Sequence, residues 1–363
     1  MIYLDYQATT PLAPEAREAM LRWLDGPEGD GFGNPHSSHR LGRQAAATVE
    51  VARERVAALF PPGGQVIFTG SATEAINLAI RGSEAGRAGA PMAISALEHS
   101  AVLRTVEAVS GDVTILSVDA EGLAAPQPNL PAGTGLVAVM QVNNEIGTVQ
   151  PVDEIGEAAH RAGALFLCDA VQGAGKCDPP ANADMITITG HKIYGPKGIG
   201  ALWVRDGVEL APVMTGGGQE AGLRSGTLSP ALCAGFGAAA QAMVDRREED
   251  TAHIEALWTR ARDLFADWAL NGSATLRHHG NLSIRRTGLD VARLMSETRE
   301  VCFSAGSACA SEARMPSRIL AALGLSREDA RGSIRVGFGR YTTMEELERA
   351  ADLLNAGAAA QGV

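Results

Sequence analysis

The sequence predicts an α/β protein built on a mostly parallel sheet flanked by helices, followed by a smaller α+β unit. From about residue 65 to 204, short β-rich runs alternate with helix-like patterns, and the runs are continuously apolar. Strands of that kind are buried on both faces, as in a parallel sheet covered by helices. After Gly216-Gly-Gly218 the texture changes, and residues 231–270 carry Ala, Glu and Arg with apolar spacing suited to long helices.

Taken in order, 65–69, 92–95, 113–116, 136–142, 164–168 and 185–188 read as strands, and 74–81, 100–109 and 152–162 as helices. Another apolar strand follows the glycine-rich turn that begins at Thr189-Gly190. In the second unit, 281–284 and 332–338 read as strands, 345–354 as the last helix, and 356–363 as a frayed tail. Residues 13–245 are expected to form the larger domain, and 1–12 with 246–363 the smaller.

Composition narrows the function. Hydrophobic content of 45% with 20% charged residues describes a globular protein. The formal charge of −11 disfavours direct nucleic-acid binding, and no apolar run approaches the roughly 20 residues that span a membrane. Met1-Ile-Tyr-Leu-Asp-Tyr6 has neither a basic nor an apolar export region, and the five cysteines include no C-x-x-C pair. Both features predict a cytoplasmic protein with reduced thiols and no metal site.

Ligands of such sheets gather beyond the carboxyl ends of the strands, and several polar groups stand there. Ser71 and Thr73 follow the first strand, where they serve either as helix caps or, with the helix amides, as a phosphate cradle. Asp169 follows another strand, as a cap or as a buried carboxylate in need of a cation. His99 and the Asn143-Asn144 pair end two more. Finally, Lys192 sits just past 185–188 in a chain that carries 31 Lys plus Arg but lysine only at 176, 192 and 197. A lysine retained in such a chain suits work arginine cannot do, such as attacking a carbonyl as a neutral amine. Phosphate cradle, carboxylate, aromatic His and rare lysine together suit pyridoxal 5'-phosphate. The lysine would bond its aldehyde, and the carboxylate would keep its ring nitrogen protonated.

The motifs carrying these residues resemble those of the cysteine desulfurases of the NifS/IscS type, within the class V aminotransferases. They include Tyr3-Leu-Asp-Tyr-Gln-Ala-Thr-Thr-Pro11, Gly33-Asn-Pro-His-Ser-Ser-His39, Ser71-Ala-Thr-Glu74, Glu98-His99 and Val142-Asn-Asn-Glu-Ile-Gly147. Asp169-Ala-Val-Gln172, Gly190-His-Lys-Ile-Tyr-Gly-Pro-Lys-Gly-Ile-Gly200, Arg224-Ser-Gly-Thr227, Ser307-Ala-Cys309 and Ser333-Ile-Arg335 complete the series. Singly each is weak; in this order they are specific.

The resemblance implies the pyridoxal-phosphate-dependent transferase fold of type I and a role for each matching residue. Lys192 carries the cofactor, Asp169 pairs with its ring nitrogen, Gln172 bonds its ring hydroxyl, and His99 stacks on the ring and shuttles protons. Ala72, Thr73, Thr189 and His191 hold the phosphate, joined by Thr227 from the second subunit of a homodimer. Asn34, Asn144 and Arg335 bind the carboxylate of the substrate, L-cysteine. Cys309 takes the sulfur as a persulfide, for delivery to an acceptor protein such as an iron–sulfur scaffold or to tRNA thiolation. Cys309 lies in a run of small residues whose composition predicts mobility, whereas Cys168, Cys233 and Cys302 stand on apolar patterns that predict burial. A selenocysteine lyase, another class V enzyme, or a non-catalytic sulfur-relay scaffold are the alternative readings.

Overall fold

The computed structural model describes residues 1–306 and 317–363 of the chain. The chain opens with β1 (Ile2–Tyr3), α1 (Pro14–Leu21) and α2 (Arg40–Ala57), followed by β2 (Gly64–Thr69), α3 (Ala72–Gly82) and α4 (Glu84–Ala88). Next come β3 (Met92–Ser95), α5 (Ser100–Val109), β4 (Val113–Leu116), β5 (Leu136–Ala138) and α6 (Val152–Arg161). The strands β6 (Leu165–Asp169), β7 (Met185–Thr189) and β8 (Gly200–Arg205) then precede the long helices α7 (Pro230–Asp245) and α8 (Arg247–Leu264).

Among the described residues these strands form a seven-stranded sheet in the order β2-β8-β7-β6-β5-β3-β4. Only β8 runs against its neighbours, pairing antiparallel with both β2 and β7. The predicted mostly parallel sheet is therefore present. The β7–β8 pair closes at Thr189 opposite Gly200, so the segment carrying Lys192 is the connection between two adjacent strands. Side chains alternate between two apolar cores. Phe166, Cys168, Ile186, Ile188 and Trp203 pack with Val49, Val56 and Phe236 from α2 and α7. On the other face, Leu167, Met185, Leu202 and Val204 pack with Ile76, Ile80, Val102 and Val106 from α3 and α5. A sheet covered on both sides leaves its strand ends as the place for polar groups.

The rest of the chain comprises β9 (Ala269–Leu270), β10 (Asn281–Arg285), α9 (Val291–Glu297), β11 (Val301–Cys302), β12 (Ser304–Ala305), α10 (Arg318–Ala322), α11 (Arg327–Arg331), β13 (Ser333–Gly337) and α12 (Met344–Ala359). Strands β12-β13-β10-β9 form an antiparallel sheet, and its core joins Leu282, Ile334 and Val336 to Leu257, Leu347 and Leu354. Ile2 and Leu4 belong to that same core, and β1 pairs with β11.

Three local expectations change. The strand read at 136–142 keeps regular pairing only to Ala138. Beyond β3 the Met140 amide finds no neighbouring strand and bonds the Glu98 carboxylate at 2.7 Å instead. The tail is not frayed: α12 starts at a Thr343/Glu346 capping box and runs to Ala359 because Ala358 is fully buried. Arg286 then donates to the Val363 carbonyl at 2.8 Å, and the Gln361 side chain bonds the Asp290 backbone. Cys168 and Cys233 are buried as expected, but Cys302 is half-exposed because β11 has β1 as its only partner among the described residues.

Gly200 is where the sheet meets α3. A Cβ there would lie 2.6 Å from the Ser71 carbonyl carbon and 2.8 Å from the Ala72 nitrogen. The Gly200→Ala protein should fold but lose about 1–3 kcal/mol, the usual cost of overpacking. Urea unfolding of the two proteins measures it, and equal midpoints would show that α3 does not rest on β8.

Candidate active site

The Lys192 connection leaves β7 through a short 3-10 turn, Gly190–Lys192. Two residues later Tyr194 adopts φ 65°, a left-handed backbone that is rare for a bulky side chain. Tertiary contacts hold it there: its N–H donates to the Thr10 hydroxyl at 2.8 Å, its carbonyl accepts from Ala13, and the Arg340 guanidinium lies 4.3 Å over its ring. Strain maintained by several partners marks a segment whose exact path matters. The path delivers Lys192 Nζ to the carbonyls of Ala8, at 2.8 Å, and Gln7. Burial, then the charges of Arg335 and Lys176, pull its pKa down to about 7. Near neutrality, much of this lysine is an uncharged nucleophile.

Around it opens a cavity of about 610 Å³ at the strand ends. Of the residues singled out from sequence, Ala72, Thr73, His99, Asn144, Asp169, Gln172, Thr189, His191, Lys192 and Arg335 all line it. Asn34 and Thr227 do not: both are exposed on loops elsewhere on this chain. Cys309 and the expectation of mobility around it fall in 307–316, outside the described residues.

At one end of the cavity α3 presents its N-terminus. Ser71 is the cap, accepting from the Glu74 N–H at 3.2 Å, so its hydroxyl serves the helix. The Ala72 and Thr73 amides belong to the first turn, whose N–H groups have no partner within a helix and favour an anion. His191 bonds the Thr9 hydroxyl at 3.2 Å, and burial with two nearby lysines lowers its pKa to about 4, so the ring is neutral at pH 7. The Thr189 hydroxyl donates to the Ile199 carbonyl at 2.9 Å.

At the other end Asp169 is 5% exposed and accepts the Val171 N–H at 3.0 Å. Burial pushes its pKa up, against that bond and the charges of His99 and Lys192. His99 is both cap and wall: its Nδ1 accepts from the Ala101 N–H at 3.1 Å, which leaves Nε2 as the nitrogen not used by the cap. Gln172 donates to the Gln7 carbonyl at 2.9 Å, the same oxygen that Lys192 reaches. Arg335, 1% exposed, donates to the Asn144 carbonyl at 2.9 Å, to Asp5 at 2.6 Å and to the Ser304 hydroxyl at 3.2 Å.

Sequence reasoning did not assign Gln7, Glu98 or Arg318, which also line the cavity. Glu98 is buried beside Asp169 and its pKa is driven well above the carboxylate range by burial and by that neighbour. Both Gln7 and Glu98 lie inside the quoted motifs, so the signal was present without a role attached.

These features define a class: an α/β enzyme with a helix N-terminus, a buried carboxylate and a lysine of lowered pKa around one cavity. The family profile described as aminotransferase class-V matches residues 2–350, and the chain belongs to that family. Cysteine desulfurase IscS of Rickettsia akari is 41% identical over 97% of this chain and 90% of its own, and that of Rickettsia felis matches to the same extent. Among solved structures, a NifS-like protein from Rickettsia africae superposes with a TM-score of 0.87 at 28% identity, over 98% of this chain and 99% of its own. SspA in complex with cysteine does so with a TM-score of 0.81 at 33% identity, over 94% of this chain and 100% of its own.

The lysine pKa is directly testable. In cofactor-free protein, acetylation of Lys192 followed by peptide mass spectrometry should reach half its limiting rate at about pH 7. An unperturbed lysine would do so near ~10.4, and that result would refute the burial argument.

Proposed function

We infer that this protein is a cysteine desulfurase that uses pyridoxal 5'-phosphate. The observation that carries the reading is the convergence of Lys192, Asp169, His99 and the α3 N-terminus on one cavity, in a chain 41% identical to cysteine desulfurases. The donor set fits the cofactor: unpaired helix amides for a phosphate, a buried carboxylate for a protonated ring nitrogen, and a lysine of depressed pKa for an aldehyde. Bound there, the cofactor supplies an electron sink for the substrate's Cα.

The residues of the chain do the rest. Ala72 and Thr73 would receive the phosphate with their amides, with Thr189 and His191 nearby in the same cavity. Asp169 would hold the ring-nitrogen proton, and Gln172 would bond the ring hydroxyl. His99 would line the ring site with Nε2 available as a proton donor. Lys192, neutral in part at pH 7, moves the proton at the substrate's Cα. Arg335 and Asn144 bind the substrate carboxylate, a task that suits the rigid guanidinium fork. In the net reaction the Cβ–S bond of L-cysteine breaks and an S–S bond to Cys309 forms. The two thiol hydrogens end on the persulfide and on the methyl group of L-alanine, so no external oxidant is consumed. The persulfide then passes to an acceptor protein, of which an iron–sulfur scaffold is the proposed kind.

The reading includes a homodimer. The loops of Asn34 and Thr227 approach one another at a second cavity of about 320 Å³, lined by Pro35, His36, Arg53, Glu220 and Leu228. Glu220, at φ 51°, anchors its loop by accepting from Arg53 at 2.7 Å and from the Phe68 amide at 2.6 Å. A strained, anchored loop that serves no site in its own subunit suits donation of Thr227 to a second copy. Among the described residues no helix is long and apolar enough to cross a membrane.

The purified protein should be yellow and release L-alanine and sulfide from L-cysteine in the presence of a thiol. Lys192→Ala should lose both colour and activity, whereas Cys309→Ser should keep the colour and lose activity. A Cys309→Ser protein of full rate would sink the persulfide step, and a faster rate on selenocysteine would move the reading to a selenocysteine lyase. For Arg335→Lys we expect KM for L-cysteine to rise about tenfold or more, the value of one charge-assisted hydrogen bond, with kcat changed less. An unchanged KM would remove Arg335 from the carboxylate site.

A further inference from the structure

A separate cavity of about 150 Å³ is lined by Tyr6, Tyr194 and Met243 from one core of the large sheet and by Ile254 and Phe338 from the core of the smaller sheet, and Gln7 lines both it and Lys192's cavity. Its charged lining is unbalanced. The Asp250 carboxylate is taken by Arg340, at 2.6 and 2.8 Å, and approached by Arg246 at 3.6 Å. Glu255 is held by His279 at 2.7 Å, and Arg247 pairs with Asp178 at 2.6 Å. Two cations are left over. Lys176 is half-buried and its ammonium has no hydrogen-bond or ion-pair partner among the described residues. Arg277 is 7% exposed, and its bonds end on the backbone carbonyls of Asn271, Ser273, Ile146 and Asn281, with Nε unpartnered. Among the described residues no carboxylate pairs with either.

The other titratable groups at the cavity do not make up the deficit. Burial and the adjacent cations hold His278 well below its ordinary pKa, so the ring is neutral. Burial pushes the Cys177 thiol up, so it supplies no thiolate. Burial lowers the pKa of Lys176 to about 8. Two cations without a carboxylate partner in the lining of one cavity are costly unless an anion offsets them.

We propose that this cavity binds a small tetrahedral oxyanion, of the phosphate or sulfate class, between Lys176 and Arg277. The volume admits such an ion with a few waters and is too small for a nucleotide or for a second cofactor. The anion offsets the charge of Lys176, which bears on Lys192. The site uses none of the residues that the desulfurase reading assigns, so either can fail without the other.

Titration calorimetry on the holoenzyme, whose own phosphate site the cofactor fills, tests the proposal with sodium sulfate and with inorganic phosphate. Each should bind saturably at one site per chain, and each should compete with the other. Lys176→Met should weaken binding about tenfold or more, while Lys176→Arg keeps it. In thermal melts the wild-type protein should gain stability with added sulfate, and Lys176→Met should melt higher without sulfate and gain nothing from it. Absence of saturable binding, binding untouched by Lys176→Met, or two anions that do not compete would each overturn the proposal.

Discussion

The segment from Leu4 to Ala13 ties the two halves of the structure to the reactive lysine. Leu4 and Gly337 bond through the backbone at 2.8 Å, and the Gln7 side chain donates to the Gly280 carbonyl at 2.9 Å, which fixes the segment to the smaller sheet. A few residues on, the Gln7 carbonyl accepts from both Lys192 and Gln172. Thr10 and Ala13 then pin the backbone at His191 and Tyr194. A main-chain carbonyl is a strong and obligatory acceptor, so placing one where lysine and glutamine meet sets both side chains at once. Displacing this strip relative to the large sheet would disturb Lys192, Gln172 and the left-handed turn together.

Burial then sets the charge states around that strip, with opposite effects on acids and bases. It lowers the basicity of Lys192 and His191 and raises the pKa values of Asp169 and Glu98. Taken alone, burial would leave every group neutral. For Asp169 the Val171 N–H and the charges of His99 and Lys192 oppose the effect of burial. Glu98 has the Met140 amide on one oxygen and the charge of Arg318, but its other oxygen has no partner among the described residues and the Asp169 charge adds to the effect of burial. Of the two neighbouring carboxyl groups, Asp169 is the one the site equips to carry charge.

How far this was legible in the sequence depends on what carries the information. The β6 and β7 strands and the lysine turn were legible because continuous apolar runs ending in polar residues report burial and strand ends directly. The early end of β5 was not, since it depends on where β3 stops, and the helical tail was not, since Ala358 is held by tertiary packing. The polar residues divide in the same way. Side chains that act through their own chemistry, such as Lys192 and Asp169, stood out by type and position. Gln7 acts partly through its backbone carbonyl, which no residue type encodes. Ser71 and Thr189 carry hydroxyls that the sequence could show but whose engagement, with Glu74 and Ile199, only the fold determines.

Arg335 shows how such engagements bear on the proposed chemistry. Both hydrogens of Nη2 are used, on Asp5 and Ser304, and one of Nη1 is used on the Asn144 carbonyl, while Nε is unpartnered. A carboxylate gripped at two points needs two adjacent nitrogens, and both such pairs on a guanidinium, Nη1 with Nη2 and Nε with Nη2, include Nη2. In the proposed role, the substrate carboxylate must therefore displace Asp5 or Ser304, or settle for a single bond. Asp5 meanwhile compensates the charge of an arginine that would otherwise be buried without a counter-ion. In that proposed role, the contact that keeps Arg335 tolerable would compete with the substrate and would hold affinity for its carboxylate below what a free guanidinium gives.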